Sequence, residues 1–233
     1  RHGAGAIAAV IVEPVAGSGG VIVPPRGYLE RLRELCTAHG IVLIFDEVIT
    51  GFGRVGQAFA AERFGVVPDM ICCAKGLTSG MVPMGAVLVR QEIFEDFMSG
   101  PAHGIELFHG YTYSGHPLAT AAAHATLDVY AEERLFDHAR RLEDRFEARV
   151  HGLKQRAPIT DIRNLGLMGA VDLEPDPAAP GRRGMAVFER AFELGLVVRT
   201  SGDTLALSPP LPITAAELDE LFDLLGAALE TAA

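Results

Sequence analysis

Ile41-Val-Leu-Ile-Phe-Asp-Glu47 runs through five apolar residues and stops on two carboxylates. A short apolar run of this kind, bounded by polar residues, reads as a strand buried on both faces. Residues 7–12 (Ile-Ala-Ala-Val-Ile-Val) repeat the pattern and end at Glu13-Pro14. Between the two runs, Pro24-Pro25 precede a stretch with Leu29, Leu32 and Cys36 on one face and Glu30, Arg31, Arg33 and Glu34 elsewhere, closed by Gly40. That spacing predicts an amphipathic helix with a C-terminal stop. Two further strand candidates, residues 70–74 and 85–89, follow. Strands alternating with helices predict an α/β fold with a mainly parallel sheet covered on both faces.

After Pro117 the character changes. Residues 119–131 are alanine-rich, and 134–150 are densely charged with Leu135, Leu142, Phe146 and Val150 as an apolar stripe, so two long helices leave the sheet. Residues 159–173, a proline- and glycine-rich loop at 174–184, a helix at 185–194 and strands near 197–198 and 205–207 come next. Thr214-Ala-Ala-Glu217 is a capping box that opens a last helix. We divide the chain into 1–135, part of a large α/β domain, and 136–233, a small α+β domain.

Composition narrows the function. Twenty basic against thirty acidic residues give a net charge of −10 over 233 residues, which disfavours binding to nucleic acid or an anionic membrane. No apolar run approaches the length needed to cross a bilayer. Cys36, Cys72 and Cys73 cannot all pair; Cys72-Cys73 read as buried thiols and indicate a reducing, cytoplasmic compartment. The eight histidines show no metal-ligand spacing, and Gly17-Ser-Gly-Gly20 lacks the frame of a phosphate loop and reads as a turn. Asp137/Arg141 and Arg140/Asp144 are i,i+4 pairs on a solvated helix face, and Arg182-Arg183 lie exposed in a loop. The chain opens on Arg1-His2-Gly3, as an internal segment would.

Two residues stand out chemically. Asp46 ends an apolar strand, and the carboxyl ends of parallel strands face the ligand crevice. A buried carboxylate there calls for a cationic partner; taken alone, Asp46 or Glu47 could equally cap the next loop. Lys75 follows the apolar run 70–74, where desolvation would free its amine as a nucleophile toward an aldehyde; taken alone, a lysine more often reaches out to solvent. Together, a strand-end carboxylate and a strand-end lysine are what pyridoxal phosphate requires of a protein: an anion for the pyridinium nitrogen and an amine for the aldehyde.

Ile44-Phe-Asp-Glu-Val-Ile-Thr-Gly-Phe-Gly-Arg54, Ala74-Lys-Gly76 and Gly110-Tyr-Thr-Tyr-Ser-Gly-His-Pro117 resemble the class III pyridoxal-phosphate aminotransferases. Residues 13–25, Asp161-Ile-Arg-Asn164 and Gly202-Asp-Thr204 look most like the omega-amino acid:pyruvate transaminases within them. The resemblance covers the C-terminal half of a family chain. It implies fold type I, pyridoxal 5′-phosphate as cofactor, and a homodimer or higher homo-oligomer. It implies transfer of an amino group from an omega-amino acid or amine such as beta-alanine to pyruvate, through an aldimine at Lys75 and pyridoxamine phosphate. By the same resemblance Asp46 partners the pyridinium, Val48 packs behind the ring, Thr112 reaches the phosphate across a dimer interface, and Arg199 binds the substrate carboxylate. Many relatives have Gln at Ile49, and some have at Ala206 an arginine that pairs with the glutamate at Glu13, so that glutamate–arginine switch is not carried over. An aminomutase of the same family, or an incomplete chain serving only as a dimerisation module, are the alternatives.

Overall fold

The computed structural model describes residues 3–101, 103, 104, 107, 109, 110 and 112–232. Among these, β1 (Ala9–Val12), β2 (Val42–Asp46), β3 (Met70–Cys73) and β4 (Ala86–Val89) form one sheet in the order β1-β2-β3-β4. The first three strands are parallel, and β4 runs antiparallel to β3. The cause is local, because the β3–β4 connection holds a 3-10 turn, Lys75–Leu77, and no crossover helix to carry the chain back to the same end.

A second sheet of β5 (Ile159–Leu165), β6 (Met168–Leu173), β7 (Arg199–Ser201) and β8 (Thr204–Leu207) is wholly antiparallel, in the order β5-β6-β8-β7. The helices are α1 (Tyr28–His39), α2 (Ala60–Phe64), α3 (Gln91–Met98), α4 (Pro117–Glu132), α5 (Leu135–His151), α6 (Arg182–Glu193) and α7 (Ala215–Leu229). As expected, α1 stops at Gly40, whose φ of 64° lets its N–H bond back to the carbonyls of Cys36 and Thr37. The Thr214/Glu217 capping box starts α7.

The stripe on α5 is buried as its spacing predicts. Phe146 and Val150 are fully enclosed, α5 packing on β5 and α7, and Phe146 lies against Gly169 of β6 and meets Phe222 edge to face at 5.3 Å. Each such ring stabilises the fold by roughly 2–3 kcal/mol. The charged face differs from expectation. Its pairs are i,i+3, Arg134–Asp137 and Arg140–Asp137, while Arg145 and Arg149 reach across to Asp219 and Asp223 on α7. Exposed pairs of this kind contribute little individually.

Four further expectations are corrected. Strand β1 is an edge in this chain with Ile11 61% exposed, not buried on both faces. Cys72 is half-buried, whereas Cys36 and Cys73 are buried. Arg182 and Arg183 form the first turn of α6, not a loop, with Arg183 half-buried. Residues 197–198 precede the strand, which begins at Arg199.

The two sheets are joined where the site lies. Val15, Val21, Val55 and Ala60 pack on Met168 and Ala170 of β6. Arg163 donates from Nε to the Gly20 carbonyl at 2.6 Å while pairing with Asp172, and Arg63 forks onto Glu143 at 2.6 and 3.0 Å. The 13–21 turn and the 54–63 segment are thereby held against the second sheet.

Candidate active site

Parallel pairing of β2 with β3 sets Asp46 opposite Cys72. Lys75 lies three residues beyond Cys72, so it is reached from Asp46 across one strand spacing of about 5 Å and at most about 10 Å of chain. Both residues sit at the carboxyl edge of the sheet. Of the two carboxylates quoted above, Glu47 points inward and is fully buried, and Asp46 is half-buried. Asp46 accepts from the Val48 N–H through Oδ1 at 3.1 Å, and no cation of the described residues faces it. The cationic partner expected of a strand-end carboxylate is not supplied by those residues.

Glu47 does the capping that was the alternative reading of this pair. It accepts from Thr50 Oγ1 at 3.0 Å and from the N–H groups of Ala60 and Ala61 at 2.5 and 2.9 Å, satisfying the open first turn of α2. Burial pushes its carboxyl above the ordinary 4.5, against the lowering effect of those donors. The folded chain therefore holds this proton more tightly than the unfolded one. The stability it contributes is complete below about pH 4.5 and falls as pH rises through the folded value. Glu47→Ala strands three donors and is expected to cost about 3 kcal/mol, read as a lower denaturant midpoint at unchanged slope.

Lys75 is exposed, not desolvated as the sequence suggested, because the edge it ends on is open. Its backbone is the unusual feature: φ is 46°, in the left-handed region that costs a residue with a Cβ about 1–3 kcal/mol. The turn is closed by Leu77 N–H to Ala74 O at 3.0 Å and Gly80 N–H to Lys75 O at 3.2 Å. Gly76 is required next, since a Cβ there would stand 2.8 Å from that of Phe52. Tyr130 donates its hydroxyl to the Gly76 carbonyl at 2.7 Å. Burial pushes its phenol up from 10.0, with the charge of Arg54 opposing.

Between the sheets opens a cavity of about 1200 Å³ whose wall includes Lys75, Val48, Phe52, Tyr130, Arg54 and Arg199. Arg199 on β7 stands opposite Ala206 of β8, is exposed, and has no ionic partner among the described residues. Arg54 donates through Nη1 to the carbonyls of Leu167 and Pro209, and burial lowers its guanidinium below the ordinary arginine range. Glu13 accepts from the Gly17 N–H at 3.0 Å and so shapes the neighbouring turn. Thr112 lies in an exposed turn away from this cavity, and Tyr111 lies outside the described residues. The structure thus brings Lys75, Val48 and Arg199 to one cavity, sets Asp46 on the adjacent strand end, and leaves Thr112 apart. Sequence reading quoted Arg54 only as part of a motif and passed over Tyr130, which sits in an alanine-rich helix with no local signal of its role.

Among the described residues no His/Cys/Asp/Glu group could hold a metal ion, and no helix is long and apolar enough to cross a membrane. An unmatched carboxylate and a free amine on neighbouring strand ends, beside a roomy cavity, fit a ligand that is cationic at one end and carbonyl-bearing at the other. This is the arrangement that the resemblance to the pyridoxal-phosphate aminotransferases implies.

Comparison narrows the class. The family model of the class III aminotransferases matches residues 1–229. An omega-aminotransferase of Caulobacter vibrioides is 56% identical over 222 residues, 95% of this chain and 51% of that protein. A beta-alanine–pyruvate aminotransferase of Pseudomonas aeruginosa is 49% identical over 98% of this chain and 51% of its own length. A solved amine transaminase from an uncultivated Pseudomonas species, in its pyridoxal-phosphate-bound form, superposes with a TM-score of 0.91 at 42% identity, covering 99% of this chain and 54% of that one. The chain belongs to the class III aminotransferases, with their α/β fold, and pyridoxal 5′-phosphate is the cofactor this membership brings. It spans about half the length of the relatives it matches. The aminomutase alternative finds no support in these relatives.

Proposed function

We propose that this chain carries the lysine-bearing half of a transaminase that moves an amino group from an omega-amino acid or amine, of the beta-alanine kind, to pyruvate. The observation that carries this is the strand register, which sets Lys75 and Asp46 on adjacent strand ends at one edge of the sheet. The names of the relatives, omega- and beta-alanine–pyruvate aminotransferases, support the substrate class.

In this reading Lys75 Nζ would hold the cofactor through its aldehyde and, released when the donor amine takes its place there, would serve as the base that removes the proton from the donor's amine-bearing carbon and as the acid that gives it back. The cofactor, when bound, supplies the electron sink that makes that carbon acidic. Asp46 holds a proton on the ring nitrogen through charge, and Val48 packs against the ring. Thr112 meets the phosphate of a partner subunit's site, so the working form is a homodimer or larger. Arg199 grips the carboxylate of the keto acid in a bidentate pair. The division into 1–135 and 136–233 is proposed on Arg134, whose φ of 53° breaks the path between α4 and α5. Three free thiols favour a reducing, cytoplasmic setting.

Conversion of pyruvate to alanine with beta-alanine as donor tests the reading; absence of alanine in the presence of bound cofactor overturns it. Arg199→Ala is expected to raise KM for pyruvate by roughly 10–100-fold with a smaller change in kcat, as loss of one charge-assisted pair requires. The half-length span favours one second reading, a chain that acts only as a dimerisation module. Borohydride reduction after adding pyridoxal phosphate decides between the two, since a module gains no cofactor mass at Lys75.

A further inference from the structure

We infer that Tyr130 is a positioning residue for Lys75, its hydroxyl clamping the Gly76–Leu77 peptide of the turn that the lysine opens in the left-handed conformation; the lysine's role itself rests on the function proposed above. The Gly76 carbonyl accepts from within the turn, from the Thr78 N–H and from the Ser79 N–H at 3.3 Å, and from outside it, from the Tyr130 hydroxyl at 2.7 Å, which comes from α4, far along the chain. The Tyr130 ring is fixed on both sides. It stacks on Phe52, centroids 6.1 Å apart and planes 21° from parallel, and lies 5.1 Å from Phe136 of α5. Phe52 is 8% exposed and is the same ring that forbids a side chain at Gly76. A residue with a Cβ stays at positive φ only where its surroundings over-determine it. Here both rings act on the next residue, Phe52 leaving no room for a Cβ at Gly76 and Tyr130 bonding its carbonyl. Since Tyr130 and Phe136 flank the α4–α5 junction, the clamp ties the direction of the Lys75 side chain to the packing of the helices that lead to the second sheet.

Tyr130→Phe keeps both ring contacts and deletes only the hydroxyl. Hydrogen exchange of the cofactor-free chain is the first measurement. Amides 77–80, which close the Lys75 turn, are expected to exchange about fivefold faster in the variant, while amides 169–171 of β6 keep their wild-type rates. Unchanged rates at 77–80, or uniform acceleration of both sets, overturn the inference. The second measurement adds pyridoxal phosphate. Before reduction the visible circular dichroism of the bound cofactor is expected to be weaker in Tyr130→Phe because the amine is no longer held in one direction, and borohydride then is expected to fix the cofactor to Lys75 in both proteins. Equal dichroism alongside faster exchange overturns the claim that the clamp acts on the lysine. A wild-type chain that binds no cofactor sinks the proposed function instead, and the exchange rates still decide the clamp.

Discussion

Lys75→Ala is expected to lose covalent cofactor capture completely and transamination by about 10³-fold or more, because one group supplies both the covalent tether and the proton transfer. The register of β2 and β3 offers no substitute: the next strand-end residue, Asp46, is an anion. Mass spectrometry after borohydride reduction reads the first loss and alanine formation the second. A small primary amine added to the variant should restore part of the proton transfer but none of the fixed mass. Retention of the reduced adduct in the variant would place the tether elsewhere and remove the basis of the functional reading. The fold should be unaffected, since Lys75 is exposed and its side chain meets no partner among the described residues.

Asp46→Asn is the second large effect. Asparagine keeps the oxygen that accepts from the Val48 N–H, so the turn after β2 survives, but the charge disappears. With no cation of the described residues facing Asp46, that charge has no structural ion pair to lose. The expected outcome is a kcat lower by about 10²–10³, equivalent to about 3–4 kcal/mol of transition-state stabilisation, with modest change in cofactor affinity. A cofactor analogue methylated on its ring nitrogen carries a permanent positive charge and should recover much of the rate in Asp46→Asn. Failure of the analogue to do so would assign the aspartate a purely structural role. The contrast with Glu47 sharpens the test. One position further, a carboxylate enclosed by three donors governs stability, so Glu47→Ala should move the unfolding midpoint whereas Asp46→Asn should move turnover.

Strands β2, β3 and β4, the helix stop at Gly40, the buried stripe of α5 and the capping box of α7 were all legible along the chain, because each is a local pattern of apolar spacing and turn residues. So were Lys75 and Asp46, each being a charged residue at the end of an apolar run. What misled was context. Desolvation of Lys75 was inferred from its flanking strand, but an edge of a sheet can leave the following turn in water. Charge pairs along α5 were assigned to i,i+4 neighbours, yet Arg145 and Arg149 found their carboxylates on α7, more than seventy residues away.

By itself the sequence determined the alternation of elements, the chemical identity of the amine and carboxylate, and the family, since these depend on residue type and short-range order. Only the tertiary structure decided that Glu47 turns inward to cap α2 while Asp46 stays at the edge, that β4 reverses, that Arg199 shares a cavity with Lys75, and that a hydroxyl from α4 closes on the Gly76 carbonyl. These rest on contacts between residues remote in the chain, whose geometry is set by how the sheets and helices pack, and no local pattern encodes it.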